Sequence, residues 1–104
     1  MLSKHIDEIL IKIISLGEQY GYSISKTVTK VSEGDFEIKE ASLYTGLRRL
    51  EKEKIILSYW GDESQGGRRK YYKLTDEGYE KLEENFQIWQ KTKSIIDKIY
   101  GMEE

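Results

Sequence analysis

Residues 41–74 have the sequence ASLYTGLRRLEKEKIILSYWGDESQGGRRKYYKL, in which a helical pattern gives way to two strand-like segments. The first part has leucines at i, i+4 and i+7, namely Leu43, Leu47 and Leu50. This spacing predicts a helix from Glu40 to about Lys54 with one apolar face. The segments IILSYW and RKYYKL are rich in β-branched and aromatic residues and flank the connection GDESQGG. They predict a β-hairpin whose loop projects from the domain.

Two further helices are predicted before this segment. The first is indicated by apolar residues at three- and four-residue steps: Ile6, Ile9, Leu10, Ile13 and Ile14. A second, shorter helix is indicated by Ile24, Val28 and Val31. It is expected to stop at Gly34, because glycine suits the left-handed position that follows a helix. The segment DFEIK then runs extended, with Phe36 and Ile38 on one side.

A long helix is predicted after the hairpin. Thr75 is a good N-cap, and Asp76 and Glu77 follow in the first turn, where the helix dipole favours negative charge. A helix from Thr75 to Tyr100 would be about 39 Å long, too long to pack wholly on so small a domain. One side of this helix, at steps of three and four residues, carries Tyr79, Leu82, Phe86, Trp89, Lys93, Ile96 and Tyr100, with Ile88, Thr92, Ile95 and Ile99 beside them. This face predicts a partner helix from a second copy of the chain.

The composition of the 104-residue chain limits the classes of function. It has no cysteine, which removes disulfides, zinc-thiolate sites and thiol catalysis. His5 is the only histidine, and no catalytic or metal-ligand motif accompanies it, so we expect neither an enzyme nor a cofactor. No apolar run is long enough for a signal peptide or a membrane span. We therefore expect a cytoplasmic protein that does not associate with membranes.

The predicted element order is that of a winged helix-turn-helix, a mainly α fold with a β-hairpin wing. In that fold the third helix enters the DNA major groove and the wing contacts the backbone or the minor groove. The formal charge is −2, but basic residues cluster in the middle of the chain and acidic ones in its last third. We expect a DNA-binding domain at residues 1–74 and a C-terminal dimerisation helix with its tail at residues 75–104. The residues expected to contact DNA are Lys39, Ser42, Tyr44, Thr45, Arg48, Gly67, Arg68 and Lys70.

Several residues near this surface have more than one interpretation. Tyr44 can instead be a core aromatic residue, and Arg48 can contact either a base or a phosphate. Arg49 and Lys52 fit a solvated flank of the helix, and Trp60 fits packing beneath the wing. Three residues are expected to pack the second strand onto the domain: Tyr71, Tyr72 and Leu74.

The alternative function is a winged-helix protein-interaction module that does not bind an operator directly. Its long helix would mediate assembly, and its basic face would bind an acidic protein. Such a module would tolerate the loss of Arg68 or Lys70, whereas DNA binding would weaken across all sequences.

The runs ASLYTGLRRLEKEKII and GDESQGGRRKYYKLTDEG resemble the PadR family of bacterial transcriptional repressors, with a match over residues 9–78. The family pattern is a serine or threonine before LY, a leucine-rich recognition helix, and a wing that ends in GGR, KYY and LT, then G. The phrase SYWGDESQGGRRKYY and Trp89 resemble more narrowly the small multidrug-binding members, which have one C-terminal helix. Thr45 and Gly46 depart from the proline and alanine of many members. A glycine here costs about 1 kcal/mol relative to alanine and is expected to loosen the recognition helix.

The resemblance implies a homodimer in which the last helix of one copy packs against the first helix of the other. The two recognition helices would face a palindromic operator, with half-sites about 34 Å apart. Trp89 and its symmetry mate would bind a flat aromatic effector at the dimer interface, with Phe86 and Lys93 nearby, and the effector would relieve repression. From its position on the helix alone, Trp89 can instead be an interface anchor without a ligand. The cation of Lys93 predicts that neutral or anionic aromatic compounds bind better than cationic ones.

Overall fold

The computed structural model of the protein describes residues 2–61 and 68–102, and its elements follow the predicted order. A single 3-10 turn, Leu2–His5, leads into the first helix. The helices are α1 (Ile6–Ile14), α2 (Gly21–Val31), α3 (Glu40–Lys52) and α4 (Asp76–Tyr100), and the strands are β1 (Gln19–Tyr20), β2 (Ile56–Trp60) and β3 (Lys70–Leu74). The winged-helix fold class, with a long C-terminal helix, is therefore confirmed.

The core lies where α1 crosses α2 and α3. Its most deeply buried side chains are those of Leu10, Ile11, Ile24, Leu47, Leu50 and Ile56. The predicted leucine face of α3 is confirmed, because Leu43, Leu47 and Leu50 are each 2% exposed or less. Phe36 packs against this core and Ile38 is buried within it. Both side chains therefore lie on the same side of their segment, as predicted.

Gly46 has a packing role in this core. It is buried on α3, and a Cβ at this position would lie 2.8 Å from Leu10 Cδ1 on α1. Glycine therefore lets the two helices approach closely. The packing at this close approach offsets the lower helix propensity of glycine.

The sheet has one strand more than the sequence predicts. β1 consists of Gln19 and Tyr20 only, and it pairs with β3 to give the antiparallel order β1-β3-β2. Two residues are too few to show the alternation by which a strand is recognised in a sequence. β1 ends where α2 begins, so the sheet fixes the start of α2 beside the wing.

The two faces of the sheet have different neighbours. Tyr72 and Leu74 point into the core, as predicted. The prediction for Tyr71 is wrong: its ring lies on the outer face, at 5.5 Å from the Tyr20 ring and 5.8 Å from the Tyr59 ring. Alternation along β3 requires this, because adjacent strand residues point to opposite faces. The hydrogen bond that Tyr59 donates to the Glu18 carboxylate raises the pKa of Tyr59 to about 12.

The ends of α2 and α3 both use a left-handed residue that is not glycine. Glu33 has a φ of 56° after α2, and Lys54 has a φ of 64° after α3. Gly34 also has a left-handed φ, 84°, but it lies one residue later than the position predicted for it. α3 ends at Lys52, two residues earlier than the sequence indicates, because Lys54 already belongs to the turn into β2.

Thr75 joins the start of α4 to the corner between α3 and β2. Its hydroxyl oxygen accepts a hydrogen bond from the Gly78 amide at 3.0 Å, which confirms Thr75 as the N-cap. The same hydroxyl donates to the carbonyl oxygen of Lys54 at 2.6 Å. Gly78 lies so close to the carbonyl of Ile55 that a Cβ there would overlap the carbonyl oxygen. The long helix therefore leaves the winged domain through a tight joint.

The rest of α4 projects away from the domain. It contacts α1 and β3 near its start, and the protein measures 61 × 30 × 20 Å along its principal axes. Every residue from Phe86 to Tyr100 is exposed. Apolar side chains on this segment are therefore uncovered in the single chain.

Candidate nucleic-acid interface

The outer side of α3 and its N-cap present four of the eight predicted DNA contacts to solvent. Ser42, Thr45 and Arg48 are all exposed, and Lys39 is the exposed N-cap residue. The Arg48 guanidinium lies 3.4 Å from the Thr45 hydroxyl, so these two side chains form one polar patch. The burial of the leucine face holds this polar side outward.

A cleft of about 430 Å³ lies between the start of α2, α3 and β3. We call it the α3–wing cleft, and it is lined by Tyr20, Gly21, Tyr22, Tyr44, Arg48, Glu51, Arg69, Lys70 and Tyr72. It brings together three predicted contact residues from two elements, Tyr44 and Arg48 on α3 and Lys70 on β3. Sequence reasoning missed Tyr20, Tyr22 and Arg69, because only the pairing of β1 with β3 places the start of α2 here.

Tyr44 packs against the core and also faces the α3–wing cleft, so it combines features of both interpretations. Its ring is half-buried and packs against the core, while the side chain also lines the α3–wing cleft. Its hydroxyl end lies against Gly21 so closely that a Cβ on Gly21 would overlap it. The first residue of α2 therefore fixes the position of an aromatic ring in the cleft.

The charges in the cleft are not all positive. Glu51 accepts a hydrogen bond from the Ser58 hydroxyl at 2.5 Å, and its carboxylate lies 3.9 Å from Lys70 Nζ. Burial raises the pKa of Tyr72, and the neighbouring charge of Glu51 adds to this rise. The Arg69 guanidinium lies over the Tyr20 ring at 4.5 Å. Three cations thus line the same cleft as this carboxylate: Arg48, Arg69 and Lys70.

The wing carries the second group of predicted contacts. Arg68 and Lys70 are exposed, as expected of residues that meet DNA. Gly67 lies outside the described residues. The prediction that Trp60 packs beneath the wing is wrong, because its side chain is 58% exposed and lies 5.5 Å from the Arg68 guanidinium. Trp60 is the last residue of β2 and extends beyond the part of the sheet that the core covers.

The two residues predicted to form a solvated flank of α3 behave differently. Lys52 is exposed, as predicted. Arg49 donates a hydrogen bond through Nε to Asp7 on α1 at 2.9 Å, and this bond raises the pKa of Arg49. Because both side chains are well exposed, the pair contributes little to stability.

A second, mostly apolar cavity of about 590 Å³ opens between α1 and α4. We call it the α1–α4 groove, and it is lined by Leu2, His5, Glu8, Ile9, Lys12, Ile13, Leu82, Asn85, Phe86 and Trp89. Two predicted effector residues, Phe86 and Trp89, therefore lie together. Lys93 does not line the groove and is paired with Asp97 at 2.9 Å. The preference for neutral or anionic ligands stays a prediction.

The described part of the chain has neither a metal-binding cluster nor a membrane-spanning helix. Residues 2–61 and 68–102 contain no group of three or more histidine, aspartate or glutamate side chains that could hold a metal ion. Among the described helices, none is long and apolar enough to cross a membrane.

Comparison with known proteins gives a family and several relatives. The model of the Transcriptional regulator PadR-like family matches residues 10–84. An uncharacterised protein of Lysinibacillus sphaericus is 43% identical over 93 residues, which are 89% of this chain and 85% of that protein. A transcriptional regulator from Clostridium thermocellum is 37% identical with a TM-score of 0.83, over 91% of this chain and 89% of that one. Bacillus subtilis PadR in complex with operator DNA shares the fold, with a TM-score of 0.70 at 22% identity, over 78% of this chain and 46% of that one.

Proposed function

The chain belongs to the PadR-like family of transcriptional regulators, and from this premise we propose that it is a repressor that binds palindromic operator DNA as a homodimer. In each protomer α3 enters the major groove and the wing contacts the adjacent backbone. The observation that carries the proposal is the α3–wing cleft, where Arg48 and Lys70 converge from a helix and a strand. Cations that face one opening suit a phosphate backbone that runs through it.

The similarity of fold to Bacillus subtilis PadR supports the same arrangement, because that protein was solved with operator DNA. The polar patch of Thr45 and Arg48 gives α3 groups that can hydrogen-bond base edges or phosphates. Glu51 limits the positive charge of the cleft. A carboxylate there disfavours binding to any phosphate backbone, so sequence-specific contacts contribute a larger share of the binding free energy.

Arg48→Ala is expected to weaken binding to the DNA directly upstream of the protein's own gene by about 10- to 100-fold. A good arginine contact to DNA is worth about 1–3 kcal/mol. If Arg48 contacts a phosphate, the slope of log K against log salt also falls by about 0.9. Fluorescence anisotropy with a labelled duplex, repeated over a salt series, measures both quantities.

Lys52→Ala is the matched control for this variant. It removes the same charge from the same exposed side of α3, but Lys52 does not line the α3–wing cleft. We expect its affinity to stay within about threefold of wild type, the range of an exposed charge contact. Equal losses from the two substitutions would contradict the assignment of the cleft as the DNA-binding site.

The homodimer is supported by the uncovered side of α4. Four isoleucines of α4 are about half exposed: Ile88, Ile95, Ile96 and Ile99. A helix of 25 residues spans about 37 Å, and only its start contacts the rest of the chain. Contiguous apolar surface of this kind marks an association site, and a second α4 has the matching pattern.

The effector part of the proposal concerns the α1–α4 groove. Phe86 and Trp89 offer two aromatic faces, and Ile9 and Ile13 supply an apolar wall opposite them. Such a site suits a planar aromatic compound, which would stack on the indole. The groove lies between α1 and the helix proposed to form the dimer, so a bound compound would bias the angle between protomers and thereby the spacing of the two α3 helices.

A titration tests this part. In a Trp60→Phe variant, Trp89 is the only indole, so a planar aromatic dye bound in the groove is expected to quench the remaining emission. Because ligand and DNA binding are reciprocally coupled, the dye should also weaken operator binding. Unchanged emission would contradict the site, and quenching with unchanged operator affinity would contradict its regulatory role.

A further inference from the structure

Trp60 presents an exposed indole at the end of β2, and the proposed function does not use it. Its side chain is 58% exposed, whereas Tyr72 on the neighbouring strand is 5% exposed. A single exposed aromatic residue does not by itself indicate a function. The direction in which Trp60 points and the side chain stacked on it are what indicate a role.

The strand register places Trp60 on the same side as α3. Trp60 pairs with Lys70 and Ser58 pairs with Tyr72, so these four residues share one face of the sheet. That face is turned toward α3, because Ser58 donates a hydrogen bond to Glu51 and Lys70 lies 3.9 Å from the same carboxylate. Trp60 therefore lies beside Lys70, on the face of the sheet that is turned toward α3.

Arg68 lies over the indole. The carbon at the centre of its guanidinium is 5.5 Å from the centre of the Trp60 ring, within the range of a cation–π contact. Stacking occupies one face of the guanidinium and leaves the N–H groups at its edge for two parallel hydrogen bonds to a phosphate. The stack also reduces the side-chain freedom that Arg68 loses when it binds.

We propose that Trp60 is a positioning residue of the DNA interface, which holds Arg68 against the sugar–phosphate backbone beside each half-site and packs its own ring against that backbone. This inference rests on the proposed function. In this arrangement the wing binds DNA through an aromatic–arginine unit, Trp60 with Arg68, and not through separate cations. The chemistry recognised is a backbone phosphate, so the contribution of the unit does not depend on base sequence.

The opposite face of the hairpin supplies a matched control. Leu57 and Lys73 form a directly opposed pair on the outer face, and Lys73 Nζ lies 6.0 Å from the centre of the Tyr59 ring. Like Trp60 and Arg68, the pair combines an exposed apolar residue with a cation over an aromatic ring, although the ring here is that of Tyr59. It faces away from α3, so its loss should leave DNA binding nearly unchanged.

A double-mutant cycle tests the inference. Affinity for the labelled upstream duplex is measured over a salt series for Trp60→Ala, Arg68→Ala and the double variant, with Leu57→Ala and Lys73→Ala as controls. Trp60→Ala is expected to weaken binding about 5-fold and Arg68→Ala about 10-fold, with a salt slope lower by about 0.9 for the latter. The double variant should weaken binding by about 10- to 15-fold instead of the 50-fold of independent sites. The controls should stay within about twofold of wild type.

Two results would overturn the inference. One is a double variant whose loss equals the product of the single losses. The other is a Trp60→Ala variant that melts at a lower temperature but keeps the wild-type affinity and salt slope, since Trp60 would then only stabilise the fold. If Trp60→Ala does not fold, Trp60→Phe carries the test, with an expected loss of about twofold and a coupling to Arg68→Ala of the same sign.

A second measurement follows Trp60 directly. In a Trp89→Phe variant, Trp60 is the only indole, and its emission is expected to change when the upstream duplex is added. Unchanged emission while anisotropy reports binding would overturn the inference and leave the proposed function intact. A wild-type protein that binds no duplex at any salt concentration would instead overturn the proposed function.

Discussion

Ile96→Glu is expected to convert the proposed dimer to a monomer. Ile96 is 46% exposed in the single chain and lies on the side of α4 that also carries Trp89. In a dimer built on this side, the substitution would place two carboxylates in an apolar interface, one from each protomer. Removing an unpaired charge from water costs several kcal/mol, enough to dissociate a small interface. Light scattering after gel filtration should give about 12 kDa, the mass of one chain, instead of twice that mass.

Ser94→Glu is the control for this substitution. Ser94 is exposed two residues earlier, on nearly the opposite side of the helix, so the added carboxylate would remain in water. It should leave the dimer intact. A monomeric wild-type protein, or an Ile96→Glu variant that remains dimeric, would contradict the assignment of this α4 face. Because the operator is proposed to be palindromic, the monomer should also bind it far more weakly.

Gly78→Ala is expected to lower the free energy of unfolding by about 2–4 kcal/mol, the range of severe overpacking. Helix propensity alone predicts the opposite sign, since alanine is favoured over glycine by about 1 kcal/mol within a helix. The difference arises because the new Cβ would overlap the backbone carbonyl of Ile55. Backbone cannot rotate away as the end of a side chain can. Urea unfolding followed by circular dichroism measures the change.

Gly101→Ala is the matched control at the other end of α4. Gly101 has a φ of −83°, which alanine adopts without strain, and a Cβ there would have no neighbour closer than 3.4 Å. Its stability should change by less than about 0.5 kcal/mol, as for other surface substitutions. A Gly78→Ala variant as stable as wild type would show that the contact between α4 and the α3–β2 corner can accommodate a Cβ, which would contradict the tight joint.

This joint connects the two proposed functions of the molecule. Thr75 ties the first turn of α4 to Lys54, two residues after α3 ends. α3 is proposed to read DNA, and α4 to bind a second copy. A tight joint makes each α3 move with its own α4, so a ligand that changes the angle between protomers would change the distance between the two α3 helices.

The features predicted correctly from the sequence are those that depend on near neighbours in the chain. The apolar face of α3, the cap at Thr75 and the two main wing strands follow from spacing and residue type, and all three are confirmed. The exposed positions of Ser42 and Arg48 follow from the same helical period. Helix ends were less accurate, because Glu33 and Lys54 adopt a conformation that sequence rules assign to glycine.

The features that were missed depend on contacts between distant residues. β1 is a strand only because β3 lies beside it, and Arg49 pairs with Asp7 across 42 positions of the chain. The error at Trp60 has the same origin. An aromatic residue in a strand usually packs inward, and only the register with Lys70 shows that Trp60 lies past the edge of the core. The pairing of Lys93 with Asp97, by contrast, was visible as an i, i+4 spacing.

The most direct test of the proposed function is selection of binding sites from a random duplex library by the purified wild-type protein. A dimer that presents two α3 helices to one face of DNA should enrich an inverted repeat, with half-site centres about 10 base pairs apart. Recovery of that repeat, with affinity that falls steeply as salt rises, is the predicted result. A pool without an inverted repeat after repeated rounds, or binding that does not respond to salt, would contradict the proposal that this protein is an operator-binding dimer.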